Sequence, residues 1–172
     1  MPMKAGHRTA GLLVGLALAK FGFVAGQPVS PPPRPLAMTG ENLMAGDPRH
    51  RDRPGAVMPG DVIRYRLTFT NLRTDSIQKV QFTDPIPTGL QYVTGSATVD
   101  REDVAIEFSI DGGATWSAQP MIEELVEGRV VRRPAPVSKY THVRWSIAGW
   151  LKSKAQVTAE LRAQLPEGAS QQ

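Results

Sequence analysis

Cysteine is absent from all 172 residues. That excludes disulfides, a thiolate nucleophile, Cys-type zinc sites and lipid attachment through a lipobox thiol. Histidine is scarce, with three in the chain, two of them at His7 and His50 near the N-terminal end. A Ser–His–Asp arrangement would therefore have to be built on His142. The phosphate-loop, dinucleotide, zincin and nucleophile-elbow motifs do not occur. Long apolar runs are also missing. Gly11–Ala19 is the longest near the start, and Lys20 interrupts it well short of the ~20 residues a spanning helix needs.

What is present is punctuation. Sixteen glycines and fifteen prolines suit short strands and turns, and one domain is the natural content of this length. Residues 1–26 read as an export signal: Lys4 and Arg8 form the basic start, Gly11–Ala19 the apolar run, and Val24-Ala25-Gly26 a small-residue cleavage site, with a competing cut after Ala19. The formal charge of +4 then loses Lys4, Arg8 and Lys20, leaving 17 basic against 16 acidic residues. So near-neutral a chain offers no general attraction for nucleic acid. Residues 27–56 read as a mostly disordered, proline-rich linker. QPVSPPPRP at 27–35 is a stiff polyproline spacer, Arg49, His50, Arg51 and Arg53 are a solvated cluster, and Leu36–Leu43 is a candidate first edge strand. Residues 167–172 read as a fraying tail.

Between these ends the period is two. Ile63, Tyr65, Leu67 and Phe69 alternate with polar partners, as do Val104, Ile106, Phe108 and Ile110, and Val143, Trp145 and Ile147 share one face. Val80 and Phe82 lead into the Asp84-Pro85-Ile86-Pro87 break, Leu90–Val93 and Ala97–Val99 are short candidates, and Arg129–Arg132 follows a less regular stretch. Ala155–Leu165 has helix-favouring composition, yet every odd position is apolar and every even one polar, which a strand sorts and a helix smears. About seven strands with frequent turns predict an all-β fold, an antiparallel immunoglobulin-like β-sandwich over residues 57–166.

Several residues also carry a family resemblance. Gly60-Asp61, Tyr65, Asn71, Thr83-Asp84-Pro85, Pro87, Gly89-Leu90, Tyr92-Val93 and Gly95-Ser96, then Ser109–Trp116 and Tyr140–Trp145, resemble the bacterial conserved repeat domain, also called the domain of unknown function eleven. In that family Leu72-Arg73 replaces a small turn residue and Ser153-Lys154 replaces a frequent Pro-Gly. Members are immunoglobulin-like modules of exported and surface proteins with no assigned catalytic activity, so the resemblance implies a binding or structural role.

Chemistry-bearing candidates are few. Ser109-Ile110-Asp111-Gly112-Gly113-Ala114-Thr115-Trp116 matches the Asp-box of sialidases, where the motif is a hairpin scaffold; the expectation is that Asp111 stabilises a turn and Trp116 docks on the core. Asp84 is expected to accept amide hydrogen bonds from the turn that follows it. Asp100, Glu102 and Asp103, with Asp111, raise the question of a calcium site, against a solvated loop interrupted by Arg101. Arg64, Arg66 and Lys79 form either an anion-binding stripe or a device that keeps an edge strand from pairing. His142 is expected on a surface or in packing.

The reading is a non-enzyme with no catalytic, metal or cofactor residues, acting in the periplasm or outside the cell. Its partner would be a protein or a cell-envelope glycan, without nucleic acid and without stable membrane insertion after signal cleavage. The alternatives are a glycan-active or glycan-binding protein, and an assembly subunit that donates a strand.

Overall fold

The structure, a computed structural model, describes residues 35–168. The signal reading of 1–26, the proline run to Arg34 and residues 169–172 lie outside them. The fold is all-β, with ten strands among the described residues, all paired antiparallel, and no α-helix. The strands are β1 (Leu36–Asn42), β2 (Val62–Thr70), β3 (Gln81–Pro85), β4 (Gln91–Tyr92), β5 (Thr98–Val99), β6 (Val104–Ser109), β7 (Met121–Val126), β8 (Arg129–Pro134), β9 (His142–Ile147) and β10 (Gln156–Gln164).

Alternation builds two layers. One sheet runs β1-β2-β10-β4, with β5 also pairing β10, and the other runs β3-β9-β6. β10 confirms the period-two reading: Val157, Ala159, Leu161 and Ala163 are fully buried, while the polar residues between them face away. From the other sheet Phe82, Val143, Trp145 and Ile147 meet them, so the two sheets share one core. Trp145 lies at its centre, stacked on Phe82 at 5.5 Å, with its indole N–H donating to the Thr98 carbonyl at 3.2 Å.

Three expectations are corrected. The candidate edge strand at Leu36–Leu43 is present as β1, pairing along β2 from Leu36↔Phe69 to Asn42↔Ile63, but the presumed linker after it is ordered too, with Pro48–His50 in a short 3-10 turn started by the Asp47 side chain. His50, placed in a solvated cluster, is buried. Second, Arg64 and Arg66 lie on an interior strand of the sheet and so do not guard an edge. Arg64 pairs with Glu41 on β1 and Arg66 with Glu160 on β10, so this stripe carries little free charge. Third, the irregular stretch before Arg129 is β7, which forms a separate two-stranded hairpin with β8.

The Trp145→Ala variant is expected to lose about 3–5 kcal/mol in urea unfolding, because it removes a large packed side chain and leaves a cavity. Trp145→Phe retains the stack and should lose clearly less. Equal losses in the two variants would contradict the placement of Trp145.

Candidate functional site

The Asp-box segment closes a turn between β6 and the β9 side of the fold. Ser109 donates to the Asp111 carboxylate at 2.7 Å, and Thr115 donates to it twice, from its amide at 2.9 Å and its hydroxyl at 2.6 Å. Glycines at 112 and 113 take positive φ, which lets the chain wrap around this carboxylate. The Thr115 hydroxyl and amide, with the Ser109 hydroxyl, hold the Asp111 carboxyl down at about 2. Asp111 is thus ionised and fully engaged, as expected of a turn scaffold. Trp116 departs from expectation. It is half-buried on the outer face of β9, with the Arg144 guanidinium 4.4 Å above its ring and His142 edge-on at 6.3 Å. The cause is phase: Arg144 and His142 alternate with the inward Val143 and Trp145, so a side chain laid over them faces solvent.

Asp84 is buried, on the same inward side of β3 as Phe82. It does not cap the following turn, because Pro85 and Pro87 have no N–H and the Ile86 amide is spent on the Thr141 carbonyl at 2.8 Å. Burial raises its carboxyl to about 6. The Tyr65 phenol is pushed up as well, first by its own burial and then by the Asp84 charge. His142 sits on the opposite face of the neighbouring strand and does not approach this acid. Its Nδ1 lies 3.1 Å from the Thr141 hydroxyl.

The loop acids do not converge. Asp103 is held by the Arg101 guanidinium at 2.7 and 2.5 Å and accepts from the Gly149 amide at 3.1 Å, while Asp111 belongs to its own turn. A β-carbon on Gly149 would lie 2.3 Å from that same carboxylate, so a larger residue there would displace the Asp103 side chain. Among the described residues no three His, Cys, Asp or Glu side chains gather in a metal-binding group.

Two buried polar centres were not foreseen. Asp61 is fully buried and accepts from Asn42 Nδ2 at 2.7 Å and from the Met58 amide at 2.9 Å, with His50 Nε2 at 3.1 Å. Burial alone would raise its carboxyl, but these donors outweigh it and the net displacement is downward. His50 Nδ1 is buried without a hydrogen-bond partner. At the far end of β2, buried Asn71 donates to the carbonyls of Asp75, Leu151 and Lys152 and accepts from the Arg73 amide. The sequence signal was adjacency: Asp61 and Asn71 flank the clearest alternating strand.

The open recess best suited to a ligand is apolar. A cleft of about 380 Å³ lies between β4 and β6, lined by Tyr92, Phe108, Tyr140, Ile106, Val137 and Gln119, among others. Tyr92 and Tyr140 stack at 5.9 Å, and Phe108 lies 4.9 Å from each. Burial and the neighbouring Tyr92 raise the Tyr140 phenol. This cleft offers a small apolar group a wall of aromatic side chains that are themselves packed on the core, and no carboxylate or histidine lines it.

Asp84 yields a pH prediction. Its folded value of about 6 exceeds the ordinary 3.8, so its contribution to stability is complete below about pH 4 and is lost as pH rises through 6. Asp84→Asn is expected to unfold at higher urea than the parent chain at pH 8, by about 1–3 kcal/mol, with the two converging at pH 4. A destabilised variant at pH 8 would contradict it. No family model, curated protein or solved structure matches this chain.

Proposed function

We propose that the chain is an exported, non-enzymatic immunoglobulin-like module that binds or builds structure in the bacterial periplasm or at the cell surface. The observation that carries this reading is the use of the polar side chains. Asp61, Asn71, Asp103 and Asp111 are each consumed in holding strands and turns together, whereas the exposed recess is lined mainly by apolar side chains and the exposed hairpin presents unpaired strand edges. Surfaces of that kind recognise partners by shape and edge pairing. Lys154 adds support. It takes a φ of +63° at the place where the resembled family often carries glycine, so the same backbone bend is made here by a residue that pays for it sterically.

Expression of the full chain in a Gram-negative host tests the reading. The product is expected in the periplasm or medium with its N-terminus beginning after Ala19 or Gly26. An uncleaved chain confined to the cytosol would overturn the export half.

Glycan binding is a second reading, favoured by the aromatic cleft. It expects a cell-envelope oligosaccharide to change tyrosine and tryptophan fluorescence saturably, and Tyr140→Ala to weaken that binding about two- to tenfold, since stacked aromatic contacts contribute about 0.5–1.5 kcal/mol beyond their area. Turnover of chromogenic glycosides would instead revive the enzyme alternative.

A further inference from the structure

The β7–β8 hairpin stands apart from both layers of the fold. It is a two-stranded sheet, so each strand has one unpaired edge, and every residue of β8 is exposed. Leu125 and Val130, directly opposite one another near the tip, are 74% and 68% exposed, and Val126 and Val131 are 45% and 43% exposed. Glu127 and Gly128 both take positive φ, which makes a tight two-residue turn whose twist suits a hairpin. With Val126 and Arg129 as the hydrogen-bonded closing pair, alternation turns the N–H and C=O groups of Val130 and Arg132 outward. An edge of this kind is a template for another strand.

The two edges differ in sign. Glu123 and Glu124 lie on β7, with Glu127 at its end in the turn, and β8 carries Arg129, Arg132 and Arg133 and no acid. Within the hairpin these charges already match: Glu123 is opposite Arg132, and Arg133 pairs with Glu124. Between molecules the same rule selects the contact. Two β8 edges would bring arginines together, and two β7 edges would bring glutamates together, each destabilising. A β8 edge against a β7 edge reproduces the attraction found inside the hairpin.

We propose that the β7–β8 hairpin is a self-association arm, in which β8 of one molecule adds to β7 of a second copy of this chain. Six residues per strand give an arm about 20 Å long, and strands are spaced ~4.8 Å apart. Hairpins pointing the same way would repeat every ~10 Å, too close for the folded bodies. The copies therefore approach from opposite sides, and the joining strands run parallel. The contact is head-to-tail, leaving one acidic and one basic edge free, so it does not close on itself after two copies. A buried area this small makes a weak, reversible contact.

This inference deepens the structural half of the proposed function. It draws on that reading for its cellular setting only, so a negative fractionation result and a negative association result are separable. The test is sedimentation velocity on the purified chain from ~10 µM to ~1 mM. The weight-average sedimentation coefficient is expected to rise with concentration and to fall back as salt goes from ~50 mM to ~500 mM, because the attraction is between exposed charges. Val130→Pro removes an outward N–H and should weaken association at least tenfold, with circular dichroism reporting the fold. Glu123→Arg with Arg132→Glu keeps the internal pair while mixing the sign of both edges, and should also weaken association at least tenfold. A wild-type chain that stays monomeric to ~1 mM, association that strengthens with salt, or a folded double variant that associates as the parent does would each overturn the proposal.

Discussion

β2 is fastened at both ends by a buried polar side chain, and the arrangement of the rest follows from those two attachments. Asp61 immediately precedes the strand and Asn71 immediately follows it. A carboxylate or amide taken out of water is costly unless its hydrogen-bonding capacity is met. Here it is met partly by neighbours such as Met58 and Asp75 and partly by groups far away in sequence. Asn42 at the end of β1 and His50 in the 3-10 turn come to Asp61, whose backbone carbonyl also accepts from the Leu165 amide just beyond β10. Asn71 collects the Leu151 and Lys152 carbonyls from the approach to β10. The same two residues thus determine where β1 and β10 may lie against β2, and a one-residue slip would strand both polar groups as well as invert every side chain.

This economy shapes what the molecule can do. Two side chains that would attract suspicion in an enzyme are engaged in structure, Asp111 closing a turn and Asp103 tying a loop to Gly149, while Asp84 is buried on the inner side of β3 with its carboxyl raised to about 6. Among the surfaces left uncommitted are the tyrosine-lined cleft beside β4 and the projecting β7–β8 arm. The outward charges of the two sheets are largely paired across strands, as in Arg66–Glu160 and Arg144–Glu107, which leaves the sheet faces themselves unassertive.

Periodicity made part of this visible in the sequence. Residues 155–165 read as a strand despite their alanines, because burial on one face leaves an alternating pattern that survives unfavourable propensity. β7 left no such trace. Its arm is only half-covered at Met121 and Ile122 and exposed at Leu125 and Val126, so these apolar residues are not held to odd or even positions. The segment from Met44 to Ala56 was misread because proline and charge are normally signs of a linker, and nothing local announces that His50 will be covered by distant chain. Trp116 was expected on the core as part of the Asp-box hairpin, whereas the strand phase of Arg144 put its resting place outside. Asp61 and Asn71 were noticed as residues, yet their partners lie up to 81 positions away, and pairings at that separation come from topology.

Native-state hydrogen exchange in dilute solution tests the claim that β2 and its two attachments are the centre of the fold. Amides in β2 and in the facing length of β10 should exchange only through global unfolding, with a common free energy equal to that from denaturant titration, while β7–β8 amides should exchange through local opening at much lower cost. Exchange from β2 ahead of global unfolding, or protection of the hairpin equal to that of β2, would contradict the account.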